Sequence, residues 1–169
     1  MSAIRVRVAT PGDAAALVAH LEELAVEPGI NIPLAPDEIM TVEQEKSILA
    51  DFASSPRARM YVAEVDGTLA GELSIRAISP RRAVQHVATL GMSVKQAWRR
   101  RGVGRALLEE ALAWAPTAGL KRIELYVYAR NAAAIQLYEQ CGFAIEGKRS
   151  AFIREGDDYL DDLVMARIL

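Results

Sequence analysis

The stretch VKQAWRRRGVGRALL, residues 94 to 108, decides how this chain folds. An apolar strand ends at Val94, a basic turn follows, and two glycines, Gly102 and Gly104, stand where a helix begins. Glycine allows a close approach of the backbone, and the first N–H groups of a helix lack acceptors within it. Together with the helix dipole and the adjacent arginines, these groups predict an anion site suited to a pyrophosphate.

Two other phosphate-binding loops are excluded by the residues present. Leu107 stands where the third glycine of a dinucleotide-binding fingerprint belongs, and no Gly-Lys-Ser/Thr sequence follows, as a P-loop requires. From this stretch alone, an ordinary exposed helix start with solvated arginines remains the alternative.

The elements around this stretch alternate between strands and helices, which predicts one mixed α/β domain over residues 1–169. Strands are predicted at Ile4–Val8, Met60–Val65, Leu69–Ile75, Gln85–Val94, Arg122–Tyr128, Phe143–Ile153 and Tyr159–Ile168. Helices are predicted from Thr10 to the Pro28-Gly29 break, from Thr41 to Ser54, from Gly102 to about Ala115 and from Asn131 to Gln140. Asp66-Gly67 marks a tight hairpin, Gly142 caps the last helix, and residues 27–40 are expected to form a loop.

Composition narrows the function classes. With 20 Lys and Arg against 22 Asp and Glu, the net charge is -2, so no general positive field favours a nucleic acid. The single cysteine, Cys141, permits no internal disulfide and no cysteine-based metal cluster, which favours a reducing, cytoplasmic location. We expect no membrane contact, because the start of the chain lacks a secretory signal and no run approaches the ~20 apolar residues of a membrane span.

A second stretch, NAAAIQLYEQCGF at residues 131–143, favours the anion site over the ordinary exposed helix start. The two stretches together closely resemble the GNAT superfamily of acetyl-CoA-dependent N-acetyltransferases. The first motif of that family, Arg/Gln-x-x-Gly-x-Gly/Ala, is met by Arg99, Gly102 and Gly104. The second motif, Asn-x-x-Ala-x-x-Leu-Tyr-x-x-x-Gly-Phe, is met by Asn131, Ala134, Leu137, Tyr138, Gly142 and Phe143. The resemblance covers roughly residues 60–168, and the order of the earlier elements also fits.

The resemblance implies a mixed, mostly antiparallel twisted sheet of about seven strands flanked by about four helices. It also implies direct transfer of an acetyl group from acetyl-CoA to a primary amine within a ternary complex. The segment from Gly147 to Arg167 is similar to relatives that acetylate free amino acids or similar small amines. Acetylation of a protein N-terminus or a lysine is the alternative, and a non-catalytic acyl-CoA-binding module is a second one.

The resemblance also implies a role for each matching position. The strand residues Met92 to Val94 would pair with the pantetheine arm, and the backbone amides of Arg100 to Arg105 would hold the pyrophosphate. Asn131 would contact the cofactor, and Tyr138 would stand beside the thioester sulfur. The predicted cofactor-binding set is Met92, Ser93, Val94, Arg99, Arg100, Arg101, Gly102, Val103, Gly104, Arg105, Asn131 and Tyr138.

Tyr138 also has a physical argument for acting as the general acid. Transfer expels a thiolate, and a thiol pKa near 8.5 against a phenol pKa near 10 makes proton donation only mildly uphill. The alternative is a core aromatic, since Tyr138 lies three residues after Ile135 on one helix face.

The general base is not settled by the motifs. Relatives that use a glutamate place it on the strand before the basic turn or on the next strand, which correspond here to about Ala88 and Tyr126. Neither residue can serve in that way, so Glu72 and His86 are the remaining candidates. A base that acts through a water molecule is the expectation we favour.

Other polar residues are not expected to take part in catalysis or metal binding. His20 is expected on a helix surface. A solvated acidic hairpin is expected of Asp157, Asp158, Asp161 and Asp162, and attraction of a cationic acceptor is the alternative. No His, Cys or carboxylate cluster has the spacing of a metal site, so no metal is predicted. A homodimer is expected, because the apolar strand Leu160–Leu169 would need its edge covered and similar proteins dimerise near this hairpin.

Overall fold

One seven-stranded sheet organises the fold in the computed structural model, which describes residues 3–27 and 35–169. The strands are β1 (Ile4–Val8), β2 (Ala58–Val65), β3 (Thr68–Ala77), β4 (Val87–Val94), β5 (Arg122–Tyr128), β6 (Ala144–Glu155) and β7 (Asp158–Ile168). The α-helices of the described residues are α1 (Ala14–Ala25), α2 (Val42–Ser54), α3 (Val103–Trp114) and α4 (Ala132–Gln140). The predicted mixed sheet with four helices is confirmed.

The strands follow the order β1-β2-β3-β4-β5-β7-β6 across the sheet. Every neighbouring pair is antiparallel except β4 and β5, which are parallel. This parallel pairing is short, because it joins only Val87–Thr89 to Arg122–Glu124. Beyond these residues the two strands separate, and a gap opens in the middle of the sheet.

The β2–β3 hairpin forms where the sequence predicts it. Asp66 has a φ of 50° and Gly67 a φ of 77°. A two-residue hairpin turn of the twist-compatible type needs left-handed backbone at both central positions, which Asp-Gly supplies at low cost.

The helices cover both faces of the sheet. Met60 and Val62 of β2 pack in a cluster with Leu49 of α2, whereas Tyr61 packs in a second cluster with Leu107 of α3. Because successive side chains of a strand point to opposite faces, α2 and α3 lie on opposite sides of the sheet. None of the helices in residues 3–27 and 35–169 is long and apolar enough to cross a membrane.

Several predicted boundaries differ from the structure, and three of the differences change an element. The chain from 81 to 86 forms a turn, in which the N–H groups of Val84 and Gln85 donate to the carbonyl of Arg81, so β4 begins at Val87. A short 3-10 turn, Pro11–Asp13, precedes α1. Of the predicted loop 27–40, residues 28–34 lie outside the described residues and Pro36–Glu38 form another 3-10 turn.

The structural reason given for a homodimer is wrong. The apolar strand Leu160–Leu169 corresponds to β7, and β7 lies between β5 and β6 with both of its edges hydrogen-bonded. The edges of the sheet are β1 and β6 instead. Dimerisation itself stays a prediction, which light scattering at micromolar concentration tests.

Candidate active site

A cleft of about 610 Å³ opens where β4 and β5 separate. From the predicted cofactor-binding set it is lined by Met92, Ser93, Val94, Arg99, Arg100, Gly104, Asn131 and Tyr138. Its other wall comes from β5 and the β6–β7 hairpin, with Tyr126, Tyr128, Arg149, Phe152, Ile153 and Asp162. In the described part of the chain, no three His, Cys, Asp or Glu side chains are grouped as metal ligands.

The cleft end of β4 has an open edge. On one side β4 pairs with β3 as far as Val94, but on the other side its pairing with β5 stops at Thr89. The backbone groups from Gly91 to Val94 that point toward β5 therefore have no strand partner among the described residues. An extended chain with amide groups, such as pantetheine, can pair with such an edge, which fits the role implied for Met92 to Val94.

The basic turn and the start of α3 form an anion cradle. Arg100 and Gly102 have φ values of 62° and 90°, and the first hydrogen bond of the helix joins the N–H of Ala106 to the carbonyl of Gly102 at 3.0 Å. The N–H groups of residues 103–105 thus have no acceptor within the helix. These donors and the positive end of the helix dipole fit a pyrophosphate.

The two glycines of the turn serve different purposes. Gly102 needs its left-handed backbone. At Gly104, a Cβ atom would lie 3.1 Å from Cδ2 of Leu137 and 3.4 Å from Cε of Met92. Gly104 therefore lets α3 pack closely against α4 and β4, a packing reason that the sequence analysis did not anticipate.

Two arginines of the predicted set have structural partners. The Nε of Arg99 donates to the carbonyl of Val94 at 2.9 Å, and its Nη atoms bind the Glu27 carboxylate. Nη2 of Arg105 donates to Oε1 of Gln140 at 2.5 Å. The Arg99 side chain thus ties the chain after α1 to the end of β4, and its contact with the phosphates stays a prediction.

The other two arginines of the turn remain available. Arg100 is exposed and lines the cleft, and its guanidinium makes no ion pair with a described residue. The guanidinium of Arg101 lies over the ring of Trp98, 5.2 Å from its centroid, and likewise has no carboxylate partner among the described residues. These two cations can meet phosphate groups at the mouth of the cleft.

Helix α4 brings Asn131 and Tyr138 to the cleft. The side-chain oxygen of Asn131 accepts from the N–H of Ala134 at 3.2 Å, which caps the helix and leaves the amide nitrogen for a ligand. Tyr138 is only 6% exposed, packs edge-on against Phe143, and has no side-chain hydrogen bond to a described residue. Tyr138 is thus a core aromatic and a cleft residue at once.

The phenol of Tyr138 is a weaker acid than the sequence suggests. Burial, followed by the charge of Glu72 and then Cys141, raises the pKa of Tyr138 to about 12. The phenol therefore stays protonated at neutral pH. Its proton transfer to a thiolate is more uphill than the mildly unfavourable step expected from ordinary pKa values.

Of the two predicted bases, His86 does not line the cleft. His86 is exposed and precedes β4, at the end of the strand opposite the cleft. Six residues of extended chain separate it from Met92, a distance of about 20 Å. Ala88 is buried, and the exposed ring of Tyr126 packs against Arg149, so neither position supplies a carboxylate. Glu72 is half-buried on β3, beside Ser93 of the cleft.

His20 is a residue whose importance the sequence analysis missed. The expectation of a surface position is wrong, because His20 is fully buried and its Nε2 lies 2.8 Å from Oγ of Ser93. Its spacing from Leu17 and Leu24 places it on the buried stripe of α1. That spacing is the signal that could have found it.

The wall formed by β5 and the β6–β7 hairpin holds a second missed feature, the pair of Arg149 and Asp162. Asp162 was expected in a solvated hairpin, but it is 2% exposed and its Oδ1 accepts from Nε of Arg149 at 2.7 Å. The guanidinium of Arg149 lies 4.0 Å from the ring centroid of Tyr126 and 3.5 Å from that of Phe152. An arginine held in this way is a pre-positioned cation.

Comparison with known proteins agrees with this cleft. Residues 33–143 match the model of the Acetyltransferase (GNAT) family. The chain belongs to the GNAT family. The L-amino acid N-acetyltransferase AaaT of Escherichia coli (strain K12) is 37% identical over 119 residues, which are 69% of this chain and 72% of AaaT.

Two solved structures extend the GNAT match to the whole fold. A GNAT-family acetyltransferase from Streptococcus pneumoniae superposes with a TM-score of 0.91 at 33% identity, over 99% of both chains. The protein yncA from Salmonella typhimurium, solved with its cofactor acetyl-CoA, shares the fold with a TM-score of 0.88 at 19% identity. That superposition covers 99% of this chain and 95% of yncA.

As a GNAT protein, this chain is an acetyl-CoA-dependent N-acetyltransferase. The segment that matches the GNAT model includes β4, the basic turn, α3 and α4. It ends at residue 143, so β6 and β7, with Arg149 and Asp162, lie beyond it. The function of the wall formed by β5 and the β6–β7 hairpin must therefore be inferred from its own side chains.

Proposed function

We propose that this GNAT enzyme transfers the acetyl group of acetyl-CoA to the primary amine of a free amino acid. The observation that carries the proposal is the shape of the cleft. It combines an open strand edge, an anion cradle and an unpaired phenol on one side with a fixed arginine on the other. The similarity to an L-amino acid N-acetyltransferase supports the same acceptor class.

Backbone groups of the cleft would hold most of the acetyl donor. The open edge of β4 at Met92 to Val94 would bind the amides of pantetheine. The N–H groups at the start of α3, with Arg100 and Arg101, would bind the phosphates, and the amide nitrogen of Asn131 would donate to the donor molecule. When bound, acetyl-CoA supplies a thioester whose acyl carbon an amine can attack and whose thiolate can leave.

Tyr138 would donate a proton to that departing thiolate. Its hydroxyl is free of other side-chain partners in the described part of the chain, and it lines the cleft beside α3 and β4. Protonation of the sulfur as it leaves favours collapse of the tetrahedral intermediate to the amide over expulsion of the amine.

The acceptor side favours an amine that also carries a carboxylate. Nε and Nη2 of Arg149 bind Asp162, while its Nη1 makes no hydrogen bond with a described residue. This third donor offers a carboxylate a fixed cation and a charge-assisted hydrogen bond, which is stronger than a neutral one. The rings of Tyr126 and Phe152, exposed by 47% and 55%, offer apolar area for the rest of the acceptor.

Pairs of acceptors that differ only in the carboxylate test this assignment. We expect kcat/KM of the wild type to be at least about tenfold higher for L-amino acids than for the matching carboxamides, because the amide lacks the charge that Arg149 binds. In Arg149→Gln/Asp162→Asn, which removes both charges together, this preference should vanish. Arg154→Gln is the matched control, since Arg154 lies on the same strand and donates to Gly156 at the hairpin turn.

The alternatives predict different results in the same assay. Efficient acetylation of peptides with no preference for a free carboxylate would indicate a protein N-terminus or a lysine as the acceptor. Binding of acetyl-CoA with no thiol release for any amine would indicate a non-catalytic acyl-CoA-binding module.

A further inference from the structure

A chain of three polar side chains runs behind the cleft. Oγ of Ser93 on β4 donates to Oε1 of Glu72 on β3 at 2.8 Å, and Nε2 of His20 on α1 lies 2.8 Å from the same Oγ. Glu72 and Ser93 are direct partners in the β3–β4 register. Ser93 lines the cleft, whereas Glu72 stands behind it.

These side chains lie on the acceptor side of the sheet. Leu73 packs in the core cluster that contains α3, so its neighbour Glu72 points to the opposite face, where α1 and α2 pack. Tyr126 and Tyr128 alternate in the same way with the buried Leu125 and Val127 of that core cluster. The carboxylate and the aromatic wall therefore share one face of the sheet.

The tautomer of His20 sets the direction of the hydrogen bonds. Nδ1 of His20 is buried without a hydrogen-bond partner among the described residues, and a bare lone pair is less costly there than an unpaired N–H. Burial, followed by the charge of Lys95, lowers the pKa of His20 to about 4, so the ring is neutral. Nε2–H then donates to Ser93, and the serine proton is directed at Glu72.

Ser93 can still receive a proton from the cleft. A hydroxyl has one proton and two lone pairs. The proton goes to Glu72 and one lone pair accepts from His20, which leaves the second lone pair for a donor in the cleft.

The geometry points to Ser93 and Glu72 as the pair that removes the proton from the ammonium group of the acceptor. The ammonium N–H donates to Oγ of Ser93, the serine proton moves to Oε1 of Glu72, and Ser93 keeps the proton from the amine. The nitrogen lone pair is then free to attack, Glu72 becomes a neutral carboxylic acid, and His20 acts as a positioning residue. This inference rests on the proposed transfer to an amine.

The electrostatics of Glu72 suit this task. Burial, opposed by the hydrogen bond from Ser93 and assisted by the charge of Glu45, raises the pKa of Glu72 to about 7. The groups that face it are His20 of α1, Glu45 of α2 and Ser93 of β4, and its charge also acts on Tyr138 of α4. A base works best when its pKa lies near the operating pH.

The same pair also influences the proposed acid. The negative charge of Glu72 is the second cause of the raised pKa of Tyr138, after burial. Once Glu72 takes a proton, that charge is gone and the pKa of Tyr138 falls.

Single-turnover acetylation across the pH range tests the pair, with acetyl-CoA affinity measured by calorimetry for every variant. We expect Glu72→Gln to lower the rate by about 10²-fold near pH 7 while acetyl-CoA affinity stays the same. The wild-type rate should rise with pH through about 7, whereas Glu72→Gln should lack this step. Its deficit should shrink as the pH rises further, because free amine forms in solution.

Two serine variants complete the test. Ser93→Ala should lose activity in the same direction as Glu72→Gln and lose the same pH step. Ser74→Ala is the matched control, because Ser74 is half-buried on β3 on the same face as Glu72 but does not line the cleft. It should stay within about twofold of the wild type.

The outcomes separate this inference from the proposed function. A Glu72→Gln variant that is folded, binds acetyl-CoA and acetylates within about twofold of the wild type would overturn the pair. A loss by the same factor at every pH would also overturn it, because the variant would then keep the wild-type step at about pH 7, as a purely structural defect would. If the wild type acetylates no amine at all, the proposed function fails and this inference fails with it.

Discussion

The β4–α3–α4 wall of the cleft presents mainly backbone groups, whereas the opposite wall presents charged and aromatic side chains. On the first wall the key features are the unpaired edge of β4 and the free N–H groups at the start of α3. On the second wall they are the guanidinium of Arg149, fixed by Asp162, and two exposed rings.

This difference matches two different tasks. Backbone groups bind any phosphate and any amide in the same way, so a few glycines and the fold suffice for a donor that does not change. An acceptor must be distinguished from other amines, and side chains can be exchanged one by one to do this. The donor side should therefore respond to backbone changes and the acceptor side to changes of charge.

The largest expected effect is that of Tyr138→Phe, which keeps the ring and removes only the hydroxyl. Stability and acetyl-CoA affinity should change little, because the hydroxyl has no side-chain partner among the described residues. Single-turnover acetylation should fall by ~10²–10⁴-fold if proton transfer limits the rate. A rate within about twofold of the wild type would mean that Tyr138 is only a core aromatic.

The stability of Glu72→Gln should depend on pH. A carboxylate whose pKa is raised by folding stabilises the protein at pH values below its pKa in the unfolded chain. This contribution is lost as the pH rises through its pKa in the folded protein. For Glu72 this window runs from 4.5 to about 7. Above it, Glu72→Gln should be more stable than the wild type by on the order of 2 kcal/mol, less than the full shift implies because the side chain is only half-buried.

Denaturant unfolding at several pH values measures this gain. Glu146→Gln is the control, because Glu146 is exposed and its ion pair with Arg122 lowers its pKa. The free energy of unfolding of Glu146→Gln should not increase relative to the wild type as the pH rises. A Glu72→Gln variant with a constant stability difference from the wild type would show that the buried carboxylate is not the cause.

The smallest of these effects concerns the donor wall. Gly102→Val forces a β-branched side chain onto a backbone with a φ of 90°, which should distort the anion cradle. Acetyl-CoA should then bind at least about tenfold more weakly, a loss of about 1.4 kcal/mol, by calorimetry. Gly119→Val is the matched control, because Gly119 has a φ of 75° but lies away from the cleft. Equal affinities in both variants would place the phosphates elsewhere.

The β4–α3–α4 wall could be predicted from the sequence because its sequence signals are local. Two glycines within three residues and a helix motif of thirteen residues specify the turn, the cap at Asn131 and the position of Tyr138. The hairpin at Asp66-Gly67 was readable for the same reason, since its backbone requirement is met by two adjacent residues.

The His20–Ser93 contact and the Arg149–Asp162 pair could not be predicted from the sequence, because each depends on how two separate elements pair or pack. His20 and Ser93 are 73 positions apart, and nothing near either residue indicates the other. Arg149 and Asp162 are only 13 positions apart, but the β6–β7 register shifts twice, so counting back from the turn gives the wrong partner. The exposure of Asp162 was therefore misjudged, although the hairpin itself was predicted.

The central claim is that this cleft transfers an acetyl group to an amino acid. It is tested most directly by thiol release from acetyl-CoA with a panel of L-amino acids, their carboxamides and short peptides. We expect thiol release in step with formation of the acetylated amino acid, and clearly less thiol release with the carboxamides. Binding of acetyl-CoA by calorimetry, with no amine raising thiol release above the rate in water, would contradict it.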